Sequence, residues 1–151
     1  MPAGRGEAGT ITPLILGFVV ILISLIVGGI AVTSAQVARM QLYDVSDAAA
    51  LDAADAIDGG AYTRGVGDAV PIASRTVAET AVAYVAGSAR PHAMLSWTLL
   101  PGTGSPDGRT AVVRMSCVAR LPLVGGLISA LGGSVTIHAE SRARAGLDPL
   151  P

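Results

Sequence analysis

Side chains that commonly carry catalysis or bind metals are sparse in this sequence. The chain has two histidines, His92 and His138, and a single cysteine, Cys117. Neither histidine stands at metal-ligand spacing from the other or from the cysteine. Cys117 shares one face of an alternating segment with Val113 and Met115, which indicates a buried and unreactive thiol. We therefore expect no catalytic residue, no metal, no cofactor and no small-molecule substrate, and we do not expect an enzyme.

The aspartates form a second pattern. The stretch from Ser34 to Asp58 contains neither Gly nor Pro, and at about 100° per residue its acidic and apolar side chains fall on opposite arcs of a helix. The acidic arc consists of Asp44, Asp47, Asp52, Asp55 and Asp58. It lacks the Asp-x-Asp-Gly loop of a calcium site. We interpret it as a solvated face or as an ion-pairing surface for a partner, with Asp44, Asp47, Asp55 and Asp58 as the candidates.

Ahead of this helix the chain is apolar. No charged residue stands between Glu7 and Arg39, and fourteen of the nineteen residues from Leu14 to Val32 are Leu, Ile, Val or Phe. This length matches the roughly 20 residues that cross a bilayer. A cleaved signal peptide is the alternative, but its apolar region is normally about 7–15 residues long. The sequence favours a helical membrane anchor.

These patterns predict how the chain is divided. We expect a cytoplasmic leader at 1–12, a transmembrane helix at 13–33, an amphipathic extension of that helix at 34–58, ended by Gly59 and Gly60, and a small extracytoplasmic α/β domain at 59–151. The short leader, with acidic groups soon after the span, favours an N-terminus inside and a C-terminal domain outside the cytoplasmic membrane. Net charge of −1, without a basic run, gives no reason to expect nucleic acid.

Small residues recur along the predicted anchor. Ser24, Gly28, Ala31, Ala35 and Ala38 follow one another at spacings of 4, 3, 4 and 3. Small side chains at such spacing let helices approach closely in lipid. We interpret these five residues, called the seam below, as a helix-packing surface.

The remainder of the chain predicts a second helix and three strands. A helical stripe runs over about 70–88, and 101–108 is rich in turn residues. Three segments alternate with period 2, which favours antiparallel strands with one apolar face. Their apolar faces are Leu95, Trp97 and Leu99, then Val113, Met115, Cys117 and Ala119, then Val135, Ile137 and Ala139. The expected fold class is α+β: a long N-terminal transmembrane helix continuing as an amphipathic helix, a second helix and a small sheet of about three strands.

The stretch 121–133 carries no charge. Its 13 residues are too few to span a bilayer. Two interpretations stay open: a short core helix under the sheet, or an apolar surface that touches lipid or a partner.

The N-terminal third resembles a known family. RGEAGTITPLILGF at 5–18, Ala38-Arg39 and AAALDAADA at 48–56 are similar to the TadE/TadG-like proteins of bacterial tight-adherence (Flp) pilus systems. The resemblance implies a pilin-like molecule: an anchor helix that carries a small extracytoplasmic α/β domain and assists pilus assembly or secretion. It also implies other pilin-like or pilus-assembly membrane proteins as partners, beside the lipid bilayer.

The same resemblance suggests where a leader would be cut. Gly9 and Thr10 are the candidate cleavage site, since prepilin peptidase substrates of this kind typically have Gly just before the cut. Those substrates also carry Glu at the fifth mature position, where this chain has Leu14. We therefore expect an uncleaved chain that stays in the membrane as an assembly factor.

The functional hypothesis is a membrane-anchored structural or assembly protein of a tight-adherence-type pilus or related secretion system. The alternative is a single-pass envelope protein whose outer domain is a binding or sensing module. The alternative predicts a polar-lined pocket in that domain.

Overall fold

The computed structural model describes residues 11–64, 69–131 and 133–144, without the side chains of 58, 60–64 and 69–72. Its elements are α1 (Ile11–Arg64), α2 (Ala69–Gly87), β1 (Met94–Leu99), β2 (Thr110–Ala119), α3 (Gly125–Ala130) and β3 (Thr136–Arg144). The predicted α+β fold, with a long apolar N-terminal helix, a further helix and a three-stranded antiparallel sheet, is confirmed.

Helix α1 is longer than the sequence predicted. It was expected to end at Asp58, before Gly59 and Gly60, but it continues to Arg64. A glycine inside a helix costs about 1 kcal/mol relative to alanine. That cost does not end a helix whose preceding turns are packed against the domain, as those at Ala53 and Ile57 are.

Two parts of α1 have opposite environments. From Ile11 to Ile26 every side chain is exposed, and the first fully buried residue along the helix is Ala38. From there to Ile57, one side of α1 packs against α2, β2 and β3. We call residues 11–32 the apolar segment and residues 38–57 the packed segment.

The sheet supplies the other wall of the core. Its strand order is β1-β2-β3 with antiparallel pairing, so that Trp97 faces Cys117 and Val113 faces Ser141. The predicted inner face of β2, Val113, Met115, Cys117 and Ala119, is buried as expected. Alanines at 49 and 53 of α1 and at 73 and 81 of α2 are also buried in the core. Their small side chains leave room for the helices to approach each other and the sheet closely.

One predicted strand face is wrong. Leu95 was expected to point inward with Trp97 and Leu99, yet it is 48% exposed and Met94 is fully buried. The cause is a register shift: Met94 pairs with Ala119 and Ser96 with Val118, so β1 carries one residue more than β2 at this point. Such a β-bulge breaks the simple alternation of side chains, and Met94 fills the core position.

The turn-rich loop before β2 is held by one carboxylate. Asp107 Oδ1 accepts hydrogen bonds from the backbone N–H groups of Arg109 and Thr110, at 2.9 and 2.6 Å, and Oδ2 accepts one from the Thr110 hydroxyl. The backbone N–H of Arg109, and then the two Thr110 donors, lower the Asp107 pKa from 3.8 to about 2. The carboxylate therefore stabilises the turn above pH 3.8, and that stabilisation is lost as the pH falls through about 2.

The uncharged stretch between β2 and β3 is not a core helix. Only Gly125–Ala130 is helical, and none of the residues of α3 is buried. Six residues are too few to cover the sheet, whose inner face is already occupied by α1 and α2. The interpretation of 121–133 as a short core helix is therefore wrong, and the described residues of the stretch form a partly to fully exposed, largely apolar surface.

Ser46 generates a prediction about stability. Its side chain is fully buried on the packed segment, and its hydroxyl finds no hydrogen-bond partner among the described residues. An unpaired buried hydroxyl costs about 1–3 kcal/mol. We expect Ser46→Ala to raise the free energy of unfolding by about 1 kcal/mol, measured by denaturation of the full chain in detergent.

Ser96→Ala is the matched control, because Ser96 is exposed on β1. We expect it to leave the stability within about 0.5 kcal/mol of the parent. A clear loss of stability in Ser46→Ala would show that the Ser46 hydroxyl has a partner in solution.

Candidate functional site

The most distinctive surface of the protein is the apolar segment of α1. Large aliphatic side chains are exposed all around it, for example Leu14 at 74%, Leu25 at 68% and Val32 at 63%. A helix that is hydrophobic on every side is buried in a protein core or in a membrane and is not exposed to water. At 1.5 Å per residue the segment is about 33 Å long, close to the roughly 30 Å of a hydrocarbon core. Within the described part of the chain, α1 is the one helix that is long and apolar enough to cross a membrane.

Ser24 and Thr33 have their hydroxyl groups satisfied inside the helix. Ser24 Oγ donates to the Val20 carbonyl at 2.8 Å, and Thr33 Oγ1 donates to the Gly29 carbonyl at 2.9 Å. Hydroxyls bonded in this way need no water. The polar residues near the apolar segment therefore do not prevent it from lying in lipid.

The seam divides into an open part and a closed part. Ser24 and Gly28 are exposed, and a Cβ added at Gly28 would meet nothing within 4 Å. Ala31 and Ala35 are half-exposed. Ala38 is fully buried within its own chain, so it is not available to a helix of another molecule. Packing at the other four residues stays a prediction.

The acidic face of α1 lies on the side away from the core. Asp44, Asp47, Asp52 and Asp55 are exposed, as the sequence predicted, whereas the side chain of Asp58 lies outside the described part. Asp47 accepts a hydrogen bond from the Ser141 hydroxyl of β3, which ties this face to the edge of the sheet. The ion pairs found among the described residues lie elsewhere, on α2 and on the sheet. Asp44, Asp52 and Asp55 are thus available to an external cation, whereas Asp47 is engaged by Ser141.

The outer face of the sheet carries the opposite charge. Arg114 and Glu140 pair across β2 and β3 at 2.8 Å, and Arg142 reaches the same carboxylate at 2.6 Å. Arg142, and secondarily Arg114, lower the pKa of Glu140 below its ordinary 4.5. Arg144 is exposed on the same face, so arginines outnumber glutamate there. The period-2 pattern of β3 located these side chains, but it did not identify them as a functional surface.

Residues 9–56 match a family model described as "Putative Flp pilus-assembly TadE/G-like". This segment is TadE/G-like. The resemblance read from the sequence is thereby confirmed over this segment, which is about a third of the chain. The TadE/G-like segment contains the apolar segment, the seam and the acidic face as far as Asp55. No curated protein and no solved structure matches the chain.

Two other sequence predictions concern chemistry. The candidate cleavage site, Gly9 and Thr10, lies outside the described residues, at the start of the TadE/G-like segment. Cys117 is buried as expected, and burial raises the pKa of its thiol, which disfavours the reactive thiolate. Among the described residues, no three His, Cys, Asp or Glu side chains are grouped as metal ligands would be.

Glu140 provides a test of the sheet surface. Its lowered pKa means that the ionised form stabilises the fold above about pH 4.5, and that this contribution is lost as the pH falls through the folded-state value. We expect Arg142→Gln to raise the Glu140 pKa toward 4.5, measured from the carboxyl ¹³C shift of glutamate-labelled protein.

Arg144→Gln is the matched control, since Arg144 lies on the same strand and face. We expect Arg144→Gln to shift the midpoint of the Glu140 titration less than Arg142→Gln does. Equal midpoints in the parent and in Arg142→Gln would contradict the ion pair.

Proposed function

We propose that this protein is a pilin-like, membrane-anchored structural or assembly protein of a tight-adherence (Flp-type) pilus or a related secretion system. The observation that carries the proposal is the continuity of α1. One unbroken helix exposes apolar side chains all around residues 11–32 and then forms the spine of the core. The TadE/G-like match over residues 9–56 supplies the connection to pilus assembly.

Membrane insertion of the apolar segment is energetically favourable. Its Leu, Ile, Val and Phe residues contribute roughly −0.3 to −0.6 kcal/mol each near the bilayer centre, about −4 to −8 kcal/mol over Leu14 to Val32. Exposing the same side chains to water would forfeit this energy. The anchor is therefore a thermodynamic consequence of the sequence once a bilayer is present.

The proposed orientation has the N-terminus in the cytoplasm and the domain outside. Arg5 precedes the span and Arg39 follows it, so the positive-inside rule alone does not decide. The carboxylates Asp44, Asp47 and Asp52 come soon after the span. In the proposed topology these carboxylates are exported together with the domain.

Assembly would use packing in the membrane and charge outside it. Within the bilayer, Gly28 and its seam neighbours permit another helix to approach closely. Outside, the acidic face of α1 and the arginine-rich face of the sheet lie on opposite sides of the domain, so a neighbour's acidic face can meet this sheet face. Contacts between two different surfaces repeat from one molecule to the next, as a filament or its assembly platform requires.

The proposal includes an uncleaved leader. Leu14 occupies the position at which pilin-like substrates typically carry Glu, and a carboxylate in lipid costs at least about 2.5–3.5 kcal/mol unless an amine pairs with it. Leu14 needs no such partner. A chain that remains full-length in the membrane acts as an assembly factor and not as a filament subunit.

Location and processing test this function together. Alkaline phosphatase fused after Pro151 should be active, because the proposed topology exports the C-terminus. Intact mass of the protein from its native host should give the full-length chain in the membrane fraction. As a control, the same reporter fused directly after Pro13, ahead of the span, should be inactive.

Two results would contradict the proposal. An inactive phosphatase at Pro151, together with an active cytoplasmic reporter at the same position, would reverse the topology. A mature species that begins at Thr10 and accumulates in a pilus fraction would make the protein a filament subunit.

The seam yields a separate prediction. Gly28→Leu places a bulky side chain on the open part of the seam, and we expect it to weaken association between helices by about 1–2 kcal/mol. The measurement is crosslinking or a two-hybrid assay in membranes. Gly29→Leu is the matched control: Gly29 is equally open but points about 100° away around the helix. Equal effects of the two substitutions would remove the packing role of the seam.

A further inference from the structure

The connections between the helices and strands show which end of the domain lies next to the apolar segment. Only residues 65–68 separate α1 from α2, and the two helices pack together. The five Cα–Cα steps from Arg64 to Ala69 reach at most about 18 Å, so α2 begins near the C-terminal end of α1 and runs back toward the apolar segment. Early in α2, the Ser74 hydroxyl donates to the Ser105 carbonyl at 2.7 Å.

The loop that contains Ser105 leads directly into β2. Gly104 pairs with Val112 near the start of that strand. The beginning of β2 therefore lies at the far end of the domain, together with the beginning of α2. Its other end, Ala119, and the start of β3 at Thr136 must then lie at the near end, close to the apolar segment. The full burial of Ala38 agrees with this placement.

The near end carries an exposed apolar surface. Leu123 is 73% exposed, Leu127 on α3 is 65% exposed and Leu131 is 80% exposed. No charged residue stands between Arg120 and Glu140 in the sequence. Three leucines exposed to this extent around one six-residue helix form a patch that lies favourably only against apolar material.

Basic residues lie at the same end of the domain, although the Arg39 guanidinium is over the Tyr43 ring, 5.7 Å from its centroid. Arg39, Arg90 and Arg120 are all exposed. The backbone N–H of Arg120 donates to the Ala93 carbonyl at 2.8 Å, and this hydrogen bond holds the loop that contains Arg90 beside the end of β2. No acidic residue occurs between Glu79 and Asp107, or between Asp107 and Glu140. We call the three leucines and these three arginines the near-end surface.

The distance along α1 places this surface at the level of lipid headgroups. Val32 and Ala38 are six positions apart, which is about 9 Å along the helix at 1.5 Å per residue. The headgroup layer on each side of a bilayer is roughly 5–8 Å thick. A domain that begins so close to the end of the span has its near end next to that layer.

We propose that the near-end surface is a second membrane contact, through which the domain lies directly on a bilayer containing anionic lipid. Leu123, Leu127 and Leu131 enter the boundary between headgroups and acyl chains, and the arginines pair with lipid phosphates. The inference rests on the proposed membrane anchor. The contact restricts tilting of α1, and of the domain with it, relative to the membrane. The acidic face of α1 and the outer face of the sheet then point sideways along the membrane.

Fluorophores attached at single introduced cysteines test the contact in the full chain. Environment-sensitive labels are placed by Leu127→Cys on the near-end surface, Ile21→Cys in the apolar segment and Leu51→Cys on the packed segment. The parent side chains have similar exposures of 65%, 58% and 60%. The native Cys117 is buried, and the unsubstituted chain controls for its labelling. The protein is reconstituted in vesicles with and without brominated lipid.

The three labels distinguish this inference from the anchor itself. We expect brominated lipid to quench the labels at 21 and 127 and to leave the label at 51 bright. Quenching at 21 with none at 127 would overturn the second contact while leaving the anchor intact, and crosslinking of 127 to another protein would then identify the alternative occupant. Absence of quenching at 21 would overturn both.

Lipid charge tests the part played by the arginines. Quenching at 127 should be stronger in vesicles that contain phosphatidylglycerol than in phosphatidylcholine alone, and Arg120→Gln should reduce that difference. Arg109→Gln is the matched control, since Arg109 is exposed at the far end of the domain. Quenching that is independent of phosphatidylglycerol would remove the arginines from the contact.

Discussion

Every feature of this protein depends on α1 being one helix in two environments. Its backbone hydrogen bonds are made within the helix, so the apolar segment can leave water without orphaned N–H or C=O groups. The same helix then provides the packed segment, against which α2, β2 and β3 are assembled. Because no loop interrupts the helix, the position and tilt of the anchor fix the position and tilt of the domain.

The domain in turn depends on the anchor helix for its core. A three-stranded sheet with one apolar face needs a cover, and the buried side chains of the packed segment, among them Leu42, Ala49 and Ile57, provide much of it. The buried alanines of α1 and α2 let the backbones lie close to Val113 and Met115. A core made largely of small side chains is well packed only while these elements keep their mutual positions.

The charged groups are ordered around α1. Carboxylates line the side of the packed segment that faces away from the core, arginines dominate the outer sheet face, and Arg39, Arg90 and Arg120 lie at the near end. In the proposed setting the first two sets point sideways, toward neighbouring proteins, and the third set points toward lipid. The proposal therefore assigns protein contacts and membrane contacts to different surfaces of one fold.

The sequence by itself determined the apolar segment, the acidic face and the inner faces of β2 and β3, because periodicity and charge report which side of an element meets water. Only the tertiary structure decided that α1 passes through Gly59, that Met94 replaces Leu95 in the core, that Ala38 is buried and that α3 lies outside the core. Each of these depends on a partner distant in sequence: a helix stabilised by packing, an extra residue opposite β2, or a sheet face already occupied. Local pattern carries no information about such partners.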